Sequence, residues 1–204
     1  MIIDKVESIG KSRFKVFIDG VFAFVLYKGE LSRFGISAGA KISDEEYNRI
    51  CNEVILKRAK LRAMHLLEQL DRTEENLRIK LRLGFYPEDI IDQAIGYVKS
   101  FGYIDDSSYA RRFIESRKGK KSRRELYALL SARGIAVETI NQALDCCYDS
   151  KGEEDAIRQL IHKKKINIAD ATASDMNKLY NYLFRKGFHY DIIRHVTQNY
   201  HENA

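Results

Sequence analysis

The sequence predicts a mainly α fold: three tandem three-helix repeats in an elongated curved array, preceded by a small antiparallel β-sheet. Three observations carry this. A helix-stopping Gly with a large apolar residue recurs at Leu83-Gly84-Phe85, Arg133-Gly134-Ile135 and Lys186-Gly187-Phe188, at a period of about fifty residues typical of helical repeats. An acid follows each Gly at a fixed offset (Glu88, Glu138, Asp191), and so does an isoleucine (Ile90, Ile140, Ile193). The chain's single proline, Pro87, leaves long stretches free to form helix, because proline disrupts helix interiors.

Residues 1–42 form the sheet. Phe14, Val16 and Ile18 alternate with Lys15, Phe17 and Asp19, and Asp19-Gly20 then turns the chain into Val21–Leu26. Asp-Gly between two such runs favours a type I′ hairpin, which needs positive φ at both central residues. An earlier strand near Ile2–Val6 joins them, and a short helix near Glu30–Phe34 stops at Gly35. So small a sheet must pack on something else.

Residues 43–104 hold the first repeat. Ser43 and Glu46 have capping-box spacing. The helix they open can run to Leu70, with Tyr47, Ile50, Val54, Leu61, Met64 and Leu67 on its apolar face and a break expected near Lys57–Lys60. Thr73-Glu74-Glu75 starts the next helix. Tyr86-Pro87-Glu88 starts the third, with Ile90, Ile91, Ala94, Ile95 and Val98 facing inward.

Residues 105–150 repeat the unit. Asp105-Asp106 caps a helix bearing Tyr109, Ala110, Phe113 and Ile114. Ser122 with Glu125 is a second capping box, opening Leu126, Leu129 and Leu130. Gly134 and Ile135 suit a Schellman stop contacting Leu130. Val137, Ile140, Leu144 and Cys147 line the third helix. Residues 151–204 form the third copy, with Ala156, Ile157, Leu160 and Ile161, an enlarged loop near Ile166–Ala173, and Ile192, Ile193, Val196 and Tyr200. Such units bury little alone and stack on neighbours.

Composition excludes several functions. No apolar run approaches the ~20 residues of a membrane span. The opening Met1–Lys5 has no secretory pattern, and Cys51, Cys146 and Cys147 make neither a disulfide framework nor a zinc site. A cytoplasmic, reduced setting is expected, with no membrane partner. No phosphate-loop, dinucleotide or HExxH motif is present, so no enzyme activity, catalytic residue, metal or cofactor is expected. His65, His162, His189, His195 and His201 lack metal-ligand spacing and read as structural or surface residues, and Asp105-Asp106 reads as a cap. Most tyrosines of the repeats, including Tyr109 and Tyr200, read as core. Tyr103, Tyr127 and Tyr190 stay open for stacking on bases.

The net charge of +6 is unevenly spread. Arg111, Arg112, Arg117, Lys118, Lys120, Lys121, Arg123 and Arg124 share one stretch with a single acid, Glu115. Such a stripe suits a polyanion or an acidic protein surface, and its bland alternative is a solvated helix end.

The stretch Gly102-Tyr103-Ile104-Asp105-Asp106-Ser107-Ser108-Tyr109-Ala110, then Phe113-Ile114, the basic run, and Glu125-Leu126 to Gly134-Ile135, resembles the central signature of the RecX regulatory proteins. Asp71-Arg72-Thr73-Glu74 resembles the family's entry to a repeat's second helix, and Lys80-Leu81 with Gly84-Phe85 its exit. The likeness spans Ala59 to Tyr200, and the strands resemble an extension that some members carry. Two departures stand out: the first repeat's second helix reads one residue short between Leu77 and Gly84, and Asn76 stands where Glu is frequent.

The resemblance implies a non-catalytic partner of the RecA filament on single-stranded DNA. It would lie in the filament groove and lower ATP hydrolysis, strand exchange and coprotease activity, in recombination, repair and the SOS response. It implies that the eight basic residues above touch phosphate or acidic RecA side chains, with Lys163, Lys164, Lys165, Arg185 and Arg194 as a secondary set. The protein is expected to act as a monomer. The alternative is a direct DNA-binding module of helix-turn-helix type. Against it, Val137 to Tyr148 contains no basic residue to read base edges.

Overall fold

The computed structural model describes residues 1–199; Tyr200 and His201, placed above in the last helix and the histidine set, lie outside the described residues. The chain is mainly helical with a small sheet, and divides into two compact units, residues 1–104 and residues 105 onward.

In the first unit, β1 (Ile3–Ile9), β2 (Arg13–Ile18) and β3 (Val21–Tyr27) pair antiparallel in the order β1-β2-β3. Asp19 and Gly20 both have positive φ, 48° and 79°, as the hairpin signal requires. The sheet does not stand alone. Ile3, Val16, Phe24 and Leu26 share one continuous core with Ile50, Ile55, Ala59, Leu81 and Ile91 of the helices after it. The helix α1 (Lys28–Arg33) ties the sheet further, because Arg58 pairs with its Glu30 and donates to the Val25 carbonyl at 3.1 Å.

The long helix has no break at Lys57–Lys60. α2 (Asp44–Ile50) runs through a π-helical segment (Cys51–Leu56) into α3 (Lys57–Gln69). The wider i→i+5 winding absorbs one extra residue and shifts the inward face. Its buried positions are Ile50, Cys51, Ile55, Ala59, Ala63 and Leu66, with five residues from Ile50 to Ile55. Leu61, expected in the core from uniform 3.6-residue periodicity, is therefore 65% exposed.

α4 (Glu74–Arg82) and α5 (Glu88–Ser100) complete this repeat, and every residue expected on the inner face of α5 is buried. The second helix is not short. Thr73, Leu77, Leu81, Phe85 and Ile91 stand 49 residues before Ser122, Leu126, Leu130, Gly134 and Ile140. Phe85, with φ 63°, occupies the left-handed position that Gly134 (φ 76°) and Gly187 (φ 91°) fill in the other copies. The helix stop is Phe85-Tyr86 instead of Gly84-Phe85, with the Tyr86 amide donating to the Leu81 carbonyl at 3.3 Å. Ile91, rather than Ile90, is the true counterpart of Ile140.

The second unit contains α6 (Asp106–Glu115), α7 (Arg123–Ser131) and α8 (Val137–Cys147), then α9 (Ser150–Lys163), α10 (Ala173–Arg185) and α11 (Tyr190–Gln198). Each set has its own core. Ala110, Ile114, Leu126, Leu130, Ile140 and Leu144 form one; Ile157, Ile161, Leu179, Leu183, Phe188 and Ile193 form the other. Both helix stops are Schellman motifs: the Ile135 amide donates to Leu130 at 3.4 Å, and Phe188 to Leu183 at 3.3 Å. Part of the third copy's insertion is helical, since α10 has 13 residues and α7 has 9. Val137, expected inside, is 49% exposed; Ile140, Ala143, Leu144 and Tyr148 face the core instead.

Candidate polyanion interface

The basic run occupies the outer face of α6, the turn after it and the first turn of α7. Caps hold both helices. The Asp105 carboxylate accepts the Ser108 amide at 3.0 Å and the Ser108 hydroxyl at 2.6 Å, which holds it below its ordinary value as an ionised cap. Ser122 accepts the Glu125 amide at 3.1 Å. The reciprocal half of the expected capping box is absent, because Glu125 pairs with Lys121. Buried Tyr148 donates its hydroxyl to the Lys121 carbonyl at 2.8 Å, fixing the turn from the end of α8.

The eight cations are not equivalent. Lys118 pairs with Glu115 at 2.7 Å, Lys121 with Glu125, and Arg123 with Asp145. Arg117 lies over the Phe113 ring at 3.8 Å and donates to Ser116 at 2.6 Å. Arg111 contacts Ser108 at 3.1 Å, and Arg112 is exposed beside it. Among the described residues Arg111, Lys120 and Arg124 have no carboxylate within ion-pair distance, and all three are exposed. Those three are the positions where an incoming anion would displace no internal partner.

The secondary set separates. Lys163, Lys164 and Lys165 are exposed where α9 ends, and Lys164 sits over the Tyr182 ring at 4.1 Å. Arg194 is exposed on α11. Arg185, the last residue of α10, is exposed and donates to the Asn181 carbonyl at 3.3 Å. The Lys186 carbonyl after it accepts the Ser122 hydroxyl at 2.6 Å, and a Cβ on Gly187 would come within 2.8 Å of the Arg124 Cβ. The end of α10 thus lies against the start of α7 at Arg124, and exposed Lys186 at that joint is a cation sequence reasoning missed.

Reasoning from the sequence also missed a second cationic cluster in the first unit, where Arg13, Arg58, Arg62 and Lys80 line one recess. The dense Lys57-Arg58-Ala59-Lys60-Leu61-Arg62 run was its only sequence signal. Of the tyrosines left open above, Tyr103 and Tyr190 are more than half exposed, while Tyr127 packs against its repeat core. His65, His189 and His195 are exposed. Among the described residues no three His, Cys, Asp or Glu side chains converge as a metal site would need, and no helix is long and apolar enough to cross a membrane.

Comparison with known proteins bears on the family and the fold. Residues 105–144 match the family description "RecX, second three-helix domain", and residues 152–197 match "RecX, third three-helix domain". A regulatory protein RecX of Caldanaerobacter subterraneus subsp. tengcongensis is 34% identical over 190 residues, covering 92% of this chain and 94% of the relative. One from Clostridium botulinum (strain Eklund 17B) is 29% identical over 199 residues, covering 95% and 92%. A crystal structure of regulatory protein RecX superposes with a TM-score of 0.66 at 20% identity, over 97% of this chain and 98% of the other. RecX from Lactobacillus salivarius gives 0.62 at 24% identity, over 71% of this chain and 95% of the other. The repeat signature, the helix stops and a relative matched along nearly the whole chain lead to one assignment: this chain belongs to the RecX family of regulatory proteins.

Proposed function

We propose that this protein is a non-catalytic regulator that binds the RecA recombinase as a filament on single-stranded DNA and lowers its ATP hydrolysis, strand exchange and coprotease activity. It acts in the cytoplasm as a monomer. The chain reads as a sheet at 1–42 and repeats at 43–104, 105–150 and 151–204. Family membership supports the partner, and the surface around α6 and α7 supports the mode.

One observation carries the contact assignment. Arg111, Lys120 and Arg124 stay unneutralised while neighbouring Lys118, Lys121 and Arg123 each have an acid. Exposed like charges repel, and that cost is relieved when an anion arrives. Phosphate or carboxylate groups on the partner would meet these three first, with Arg112 and Arg117 beside them. Contacts of this kind position a protein without reading base sequence.

The helix-turn-helix alternative gains nothing from the geometry. α8, in the place of a recognition helix, exposes Glu138 and Asp145 on either side of Asn141 and Gln142, and these acids would oppose a phosphate backbone. The test is RecA ATP hydrolysis on single-stranded DNA with sub-stoichiometric protein, together with filament imaging. Slowed hydrolysis with density added along the filament is the expected result. Unchanged hydrolysis with the protein in excess ends the proposal.

A further inference from the structure

The first unit holds a cationic recess apart from the basic run. It is a cavity of about 670 Å³, within the range of about 300–1,000 Å³ usual for ligand sites. Arg13 comes from the start of β2, Tyr27 from the end of β3, Arg58 and Arg62 from α3, and Lys80 from α4, with Tyr86 behind them. No acid lines it. Glu30, just outside, pairs with Arg58, whose guanidinium also lies 4.6 Å over the Tyr27 ring.

Arg13, Arg62 and Lys80 are exposed, and among the described residues none has a carboxylate at ion-pair distance. The contrast within α4 is informative. Arg78 bonds Glu74 and Asp92, and Arg82 bonds Glu75 and Glu88, so the arginines on either side of Lys80 each hold two acids. Within α4 the flanking arginines are neutralised and Lys80, which faces the recess, is not. Two exposed leucines stand among these cations: Leu61 is 65% and Leu83 67% exposed.

We propose that this recess docks a single strand of nucleic acid, with Arg13, Arg62 and Lys80 on successive phosphates and a base against Tyr27, Tyr86 and the exposed leucines. Guanidinium groups bind phosphate through paired N–H donors. Aromatic and apolar planes beside cations suit a group that carries phosphate and a flat base together. A duplex offers its phosphates but keeps its bases stacked inside, leaving the rings and leucines of a concave site unused. An acidic peptide would satisfy the charges and leave the flat surfaces without a counterpart. The site needs no RecA, so it stands or falls apart from the function proposed above.

The experiment uses the full chain without RecA. The protein has no tryptophan, so Leu83→Trp places a lone reporter at the rim. Titration with an oligothymidylate should quench its emission and saturate. Adding Arg13→Ala, Arg62→Ala and Lys80→Ala should abolish the quench, weaken labelled-oligonucleotide binding by about tenfold or more, and reduce the salt slope by about two units. All three side chains are exposed, and helical circular dichroism with the melting temperature checks that the variant folds. The Arg13→Lys, Arg62→Lys variant keeps both charges and should retain most binding. The proposal is overturned by an equal quench in the triple-alanine variant, by equal quenching with a duplex of the same length, or by a response to polyglutamate and none to the oligonucleotide.

Discussion

Ser122 and Lys186 join two repeats through one hydroxyl. The Ser122 oxygen accepts the Glu125 amide at 3.1 Å, and its proton goes to the Lys186 carbonyl at 2.6 Å. One side chain therefore starts α7 and closes the end of α10. Ser122 is fully buried, so no water stands ready to replace either bond.

Ser122→Ala should cost about 2 kcal/mol, roughly 1 for the cap and 1 for the carbonyl bond. Thr172→Ala removes an exposed cap whose hydroxyl bonds only Asp175 of its own first turn, at 2.7 Å, and should cost about 1 kcal/mol. Hydrogen exchange across α7 and α10 measures both. Equal effects would show that the bond to Lys186 adds nothing.

Gly187→Ala tests the same joint from the other side. Its φ of 91° strains any side chain, and a new Cβ would meet the Arg124 Cβ at 2.8 Å and the Ser122 Oγ at 3.0 Å. Left-handed strain alone costs about 1–2 kcal/mol. Gly134→Ala should show that strain, and Gly187→Ala should exceed it in urea unfolding.

Glu153 should make the second unit less stable as pH rises. Its carboxylate is 6% exposed and its Oε1 has no hydrogen-bond partner among the described residues. Burial pushes its pKa above the ordinary 4.5, against weaker lowering by His189 and Arg123. The folded state then holds the proton where the unfolded state has lost it. Stability falls as pH climbs from about 4.5 through the raised value. Glu153→Gln should match the parent below that window and exceed it above, read as melting temperature against pH.

Arg111→Glu with Lys120→Glu should raise the concentration needed to inhibit RecA ATP hydrolysis by about tenfold or more, with melting unchanged. Among the described residues neither has an acid at ion-pair distance, and Arg111 acts on the Asp105 cap only at longer range. Reversal at Lys121 or Arg123 would also break their pairs with Glu125 and Asp145, so those positions test less cleanly. Intact inhibition would make the run a solvated face.

The features legible in the sequence are those that local chemistry determines. Asp19-Gly20 announced its hairpin, Ser43, Asp105 and Ser122 their helices, and Gly134 and Gly187 their stops. Phe85 was missed because a bulky residue at positive φ breaks the rule by which such stops are read. Lys15 over its ring at 4.4 Å is a contact that only the folded chain reveals. The basic run was visible because it is contiguous. The recess was not, because Arg13, Arg62 and Lys80 meet only when the sheet packs on α3 and α4.

The π-helical turn at Cys51–Leu56 sets the rotational phase of α3. Its wide winding keeps Ile50 and Ile55 on one face although they stand five residues apart, where ordinary helix at 100° per residue would set them about 140° apart. Rewound as ordinary helix at unchanged length, α3 would turn Ala59, Ala63 and Leu66 off the core, and Arg58 and Arg62 off the recess. A single-codon deletion there would instead be absorbed: the segment would close into ordinary helix and α3 would keep its phase to within about 40°.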